Sequence, residues 1–116
     1  MKKSSGNYEC IYSSIFVKRL KKLEKKEKVT YHAIEKAIDK LRIDPYHNTK
    51  PLHGDLKGKR NIYVGKGGLR ILFAVCEECK RNGYQALNGC ANCNDYLPNT
   101  IFFFFFDKRS KMERIY

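Results

Sequence analysis

Four cysteines stand in two matched pairs, Cys76-x-x-Cys79 and Cys90-x-x-Cys93, with ten residues between the pairs. Two such units at that distance suit tetrahedral zinc. Each presents two thiolates, and the loop between them lets the second pair complete an all-cysteine shell. Four cysteine ligands leave no position for water, so the metal, one Zn²⁺ per chain, is expected to be structural. Gly83 and Gly89 would give the backbone freedom for two tight knuckles. Two other readings use the same thiols. Disulfides need an oxidising compartment, and the basic start "MKKSSGNYEC" has no apolar run behind it to mark secretion. Redox chemistry at one C-x-x-C needs a strand running straight into a helix, a context not expected here. Cys10, the fifth cysteine, reads as a small buried side chain.

A second set of residues could grip a polyanion. Between Lys50 and Arg70 six basic residues face a single acid, Asp55, and the whole chain of 116 residues carries a formal charge of +12. Lys57, Lys59, Arg60 and Lys66 belong to this segment, and Lys108 and Lys111 extend the positive charge past the last apolar run. A positively charged groove for nucleic acid follows. His53 is the nearest imidazole, a side chain suited to acid/base work. A membrane partner is not expected: no lipid site or amphipathic anchor is visible, and the longest apolar run, Ile101 to Phe106, is far too short to span a bilayer. The expected location is the cytoplasm.

The elements that must position these groups are legible as periodicity. "YECIYS" is β-prone, and Ser13 or Ser14 can cap a helix over "SIFVKRLKKLEKKEK", whose narrow apolar seam is Phe16, Leu20 and Leu23. Thr30 can cap a second helix over "YHAIEKAIDKLRI", with Ile34, Ala37, Ile38 and Leu41 inward, and Asp44-Pro45 stops it. The period then changes to two. In "RNIYV" Ile62 and Val64 oppose Asn61 and Tyr63; in "LRILFAV" Leu69, Ile71, Phe73 and Val75 oppose Arg70, Leu72 and Ala74. If helices cover the all-apolar face, Arg70 is held on the open face. "TIFFFFF" reads as a central strand, with alternate rings in the core. The expected fold is α+β: an N-terminal strand and a two-helix hairpin packed on an antiparallel-rich sheet. One domain spans 1–116, and a zinc-knuckle insertion, 76–98, sits between the last two strands.

This order, carrying "PLHGDLKGKRNIYVGKGGLRILFAV" and ending in "FFFFFDKRSKMERIY", resembles the RelE/ParE superfamily of type II toxins over nearly the whole chain. Within it the likeness is to the RelE branch, ribosome-dependent mRNA endonucleases. The resemblance implies a toxin that cuts mRNA in the ribosomal A site and is neutralised by an acidic, RelB-like antitoxin. It implies that Arg70 clamps a phosphate, that Arg109 follows the last strand in the same service, and that Tyr116 stacks on a base or aids proton transfer. The alternating lysines of the archetypal toxin fall at Asn61 and Tyr63 here, so the nearby cations and His53 would have to replace them. Two other functions fit the same residues: a ParE-like DNA gyrase inhibitor, and a zinc-stabilised RNA-binding protein without activity.

Overall fold

Ser13 fixes where the first helix begins. Its backbone is extended and its Oγ accepts a hydrogen bond from the Phe16 N–H, so an otherwise orphaned donor of the first turn is satisfied. The computed structural model describes residues 8–65, 68–84 and 99–108. In chain order these form β1 (Glu9–Tyr12), α1 (Ser14–Lys26), α2 (Lys28–Ile43), β2 (Lys50–Pro51), a 3₁₀ turn (Gly54–Leu56), β3 (Arg60–Val64), β4 (Leu69–Val75), α3 (Cys76–Asn82) and β5 (Thr100–Lys108). The expected α+β architecture is present.

The helical hairpin differs from expectation at its joint. Glu27 alone separates the two helices, closing α1 and opening α2, and Thr30 lies inside α2 and not at its cap. One residue at φ −138°, ψ 72° is enough to redirect the chain, so no side-chain cap is needed there. Asp44 ends α2 as the Asp-Pro pair requires, and its N–H still reaches the Lys40 carbonyl.

The five strands pair in the order β1-β5-β4-β3-β2, parallel between β1 and β5 and antiparallel elsewhere. Both helices lie on one face. Phe16 of α1 and Ile34, Ala37, Ile38 and Leu41 of α2 pack on Val64, Ile71, Phe73, Val75, Ile101, Phe103 and Phe106. Each fully buried aromatic or aliphatic side chain contributes about 1.5–3 kcal/mol. On the opposite face Leu72 and Phe105 form a smaller cluster, roofed by Leu52 and Leu56 from the loop after β2 and flanked by Phe104.

The phenylalanine run does not simply alternate. Phe73 pairs with Phe103 and Leu72 with Phe105, so Phe104 is an extra residue, a β-bulge at the Leu72/Phe73 step. It shifts the phase of β5 by one. Phe103 and Phe106 therefore face the helices, while Phe105 and Asp107 share the open face with Leu72 and Arg70.

The largest departure concerns Cys76 and Cys79. The first C-x-x-C is not a knuckle: β4 passes without a break into α3, and both cysteines lie on its opening turns. Glu77 and Glu78 suit the positive end of a helix, and Gly83, at φ 70°, takes the left-handed conformation that closes it. The strand-to-helix context that the sequence did not suggest is thus present. Cys90 and Cys93 lie outside the described residues.

Candidate functional site

The open face is organised by the pairing of β3, β4 and β5. Register sets Tyr63 of β3 and Asp107 of β5 on either side of Arg70. Because side chains alternate along a strand, all three project from the face away from the helices. The Arg70 guanidinium carbon lies 5.8 Å from the centre of the Tyr63 ring, and its Nε is buried without a hydrogen-bond partner.

Asp107 would be the natural counter-charge, but its carboxylate is held by Arg19, whose Nη2 is 2.5 Å from Oδ2. Arg19 reaches it from α1. β1 ends at Tyr12, opposite Phe103, so among the described residues no strand pairs with the rest of β5 on that edge, and α1 crosses it. Ser13 anchors the crossing by donating its N–H to the Phe103 carbonyl and its Oγ–H to the Phe104 carbonyl. The Arg19 guanidinium then passes 4.7 Å over the Phe105 ring. Among the described residues, Arg70 makes no ion pair.

The other expected cations are placed unequally. Lys59 is buried, with its Nζ 5.0 Å from the centre of the Phe104 ring, and so belongs to the open-face cluster. Lys57 is exposed and lies beside the Tyr84 ring, at the end of α3. His53 is exposed where the loop enters its 3₁₀ turn. Arg60 is a correction. Its register partner is Phe73, which faces the helices, so Arg60 points away from Arg70. There it forms a two-pronged pair with Glu78, at 3.0 and 2.8 Å, donates to the Thr49 hydroxyl and covers the Tyr46 ring. It is a structural tie and not a groove cation. Asn61 and Tyr63, at the positions where the resemblance puts lysines, are respectively buried and half-exposed on the open face. Lys66, Arg109, Lys111 and Tyr116 lie outside the described residues, and for Lys108 the strand position opposite Leu69 is what is described.

Arg19 is the residue that sequence reasoning missed. It stands three residues after Phe16, at the margin of the apolar seam, and from there its partly exposed side chain reaches Asp107.

Around α3 the side chains form a second polar assembly. Tyr8 and Tyr46 donate their hydroxyls to the two oxygens of Glu77, at 3.0 and 3.1 Å. Burial, reinforced by these bonds, pushes both phenols above the ordinary tyrosine range. Cys76 and Cys79, three residues apart on one helical face, are both buried, and the Cys79 thiol points at the Gly58 carbonyl. Two thiols on one face, removed from water, fit half of a thiolate zinc shell and are poorly placed for exchange with thiols in solution. Among the described residues, no group of three or more metal-ligating side chains gathers.

In chemical terms the open face offers a fixed guanidinium with donors to spare, walled by an aromatic ring. A guanidinium can bind an oxyanion, and a ring beside it can stack on a flat group. Helical hairpin, five-stranded sheet and this cationic face together define a RelE-like α+β fold. The crystal structure of the toxin–antitoxin complex RelBE2 from Mycobacterium tuberculosis contains a chain that superimposes with a TM-score of 0.58 at 19% identity, over 89% of this chain and 99% of that one. YafQ from E. coli (TM-score 0.49, 13% identity, 90% and 97% covered) and the conserved hypothetical protein HP0892 from Helicobacter pylori (0.47, 21%, 90% and 98%) are further neighbours. No protein-family model matches the chain, and no curated protein does. No helix among the described residues is long and apolar enough to cross a membrane.

Proposed function

We propose that this protein is the toxin of a type II toxin–antitoxin pair and an endoribonuclease that cleaves mRNA in the ribosomal A site. The observation that carries the reading is Arg70: a guanidinium set on a central strand, on the open face, whose facing carboxylate is already taken by Arg19. In the reaction the 2′-oxygen bonds to the adjacent phosphorus as the bond to the 5′-oxygen breaks, giving a 2′,3′-cyclic phosphate and a 5′-hydroxyl. Arg70 would bind the phosphate and stabilise the charge that grows on it. Arg109 and Tyr116 are proposed to complete the site, with His53 as an acid or base. The neutralising partner would be an acidic, RelB-like antitoxin, in keeping with a fold shared with a chain of a toxin–antitoxin complex. The cytoplasm, where messages are translated, is the proposed location.

Primer extension on a translated message tests this. Expression should arrest growth and produce cuts within codons that disappear in Arg70→Ala and Arg109→Ala. Cuts that persist in both variants would remove the assignment.

Asn61 and Tyr63 favour a second reading, because neither can supply the positive charge that the resemblance places there. On that reading the protein binds DNA gyrase, as ParE-like inhibitors do, or binds RNA without cutting it. DNA damage on expression, with intact message, would select the first of these.

We also propose a structural zinc ion, with Cys76 and Cys79 as two ligands and Cys90 and Cys93 as the others. Bound there, the metal would cross-link the segment between β4 and β5. Elemental analysis should find about one zinc per chain; a folded, metal-free protein would exclude the site.

A further inference from the structure

The outer face of α1 carries charge that the packing of the molecule does not use. Six of the thirteen residues of Ser14–Lys26 are basic and one, Glu24, is acidic. Lys18, Lys21, Lys22, Lys25 and Lys26 are all exposed, and at about 100° per residue they fill one arc of about 140°. Among the described residues none of the five makes an ion pair. We propose that this face binds the phosphate backbone of base-paired RNA, beside a single strand held at Arg70. The surface lies beyond the cleavage reading and takes from it only the neighbouring strand and the choice of RNA over DNA.

Composition decides what such a face can recognise. A stable protein partner needs apolar anchors, and lysine is depleted in interfaces of that kind. Single-stranded nucleic acid is held by rings on which its bases stack. From Lys18 to Lys26 the arc holds neither an apolar nor an aromatic side chain. It offers ammonium groups alone, over about 12 Å of helix. That suits a duplex, whose bases are already stacked inside and whose phosphates face outward. The lysines also stand as like-charge pairs at i, i+4, Lys18 with Lys22, Lys21 with Lys25 and Lys22 with Lys26, an arrangement that weakens a helix until a polyanion screens it.

The two margins of the arc face different neighbours. On one side Glu24 lies against Tyr31 of α2. On the other, Arg19, Lys22 and Lys26 follow at i, i+3 and i+7 and share a side of the helix. Arg19 shows where that side looks. Its guanidinium passes 4.7 Å over the Phe105 ring and binds Asp107, the register partner of Arg70. The lysine row therefore starts at the edge of the open face, and RNA bound along α1 can pass a single-stranded end across Arg19 to Arg70.

Fluorescence anisotropy on the intact chain, with a labelled blunt RNA duplex of twelve base pairs, tests this. Lys22→Gln with Lys26→Gln, which keeps helix propensity, should weaken binding by about tenfold or more and make the slope of log affinity against log salt concentration shallower by about 1.8. Lys36→Gln with Lys40→Gln, which removes the same charge from exposed positions of α2, should leave the slope unchanged. A duplex carrying a five-nucleotide single-stranded extension should bind wild type about tenfold more tightly than the blunt one, and Arg70→Ala should abolish that advantage. The proposal is overturned by absence of duplex binding, by equal slope changes in the two lysine pairs, by an extension that adds nothing, or by tighter binding of a DNA duplex of the same sequence. Polyglutamate that competes as well as the duplex would assign the face to an acidic protein and overturn it too. Duplex binding with this lysine dependence, in a protein that makes no cuts in translated message, would keep the surface and lose the nuclease reading; cuts by a protein that ignores the duplex would do the reverse.

Discussion

Arg70 owes its availability to a residue on another element. Asp107 faces it across the β4–β5 pair, and a carboxylate at that position would ordinarily neutralise it; Arg19 removes that possibility by binding Asp107 first. On the proposed function, Arg19 is therefore a positioning residue. Arg19→Ala should let Asp107 turn to Arg70 and lower RNA affinity by about tenfold, a coupling of about 1.4 kcal/mol. The double variant Arg19→Ala, Asp107→Asn should recover most of the loss, since the competing charge has gone. Anisotropy on the four proteins of this cycle decides it. If the double variant binds no better than Arg19→Ala, Arg19 contributes its own charge to RNA and does not act through Asp107. The sequence made Arg70 legible through simple alternation in "LRILFAV". It could not reveal Arg19's role, because that depends on α1 crossing β5 exactly where β1 stops, a relation between residues 88 positions apart.

At the level of elements, α3 is held from outside itself. Seven residues are too few to form a stable helix alone, and its first-turn acids are fixed by Tyr8, Tyr46 and Arg60 from three different parts of the chain. This is why "CEECKRN" read as part of a knuckle insertion and not as a helix: its partners are 18 to 69 residues away. The bulge at Phe104 was hidden for a different reason. Five identical side chains carry no hydropathy contrast, so a one-residue slip leaves no trace in the pattern. The paired strands and the helical seams were legible because there the local period and the buried face agree. Glu78→Gln leaves Arg60 without its counter-charge in a largely buried site, and should cost about 3 kcal/mol, read as a lower urea midpoint with unchanged slope. The tyrosines add a pH dependence of definite sign. Their folded pKa values lie above the ordinary tyrosine value, so the stability they contribute is fully present below about pH 10 and is lost as pH rises through the folded values. Urea melts of wild type and Tyr46→Phe across the alkaline range should show a shallower decline in the variant; parallel declines would mean that Tyr46 is not a source of it.

Over the whole molecule, the proposed function divides charge between structure and binding. The chain carries +12, yet its basic residues are not equivalent: Arg60 is tied to Glu78 on the helix-covered side, while Arg70, on the open face, makes no ion pair among the described residues. The helices protect one face of the sheet, and among the described residues Leu52 and Leu56 roof part of the other, so the proposed surface for a polyanion is the portion bearing Arg70 and Tyr63. That division can be measured through salt. Each phosphate neutralised on single-stranded RNA contributes about −0.7 to the slope of log affinity against log salt concentration. Arg70→Ala should make the slope shallower by about 0.7. Arg60→Ala should leave it unchanged even though it lowers stability, provided binding is measured well below the unfolding transition. The two substitutions remove the same formal charge, so a general attraction between RNA and a basic protein would alter both slopes alike. Different slopes would locate the RNA on the open face; equal changes would mean that it follows net charge and not the site built around Arg70.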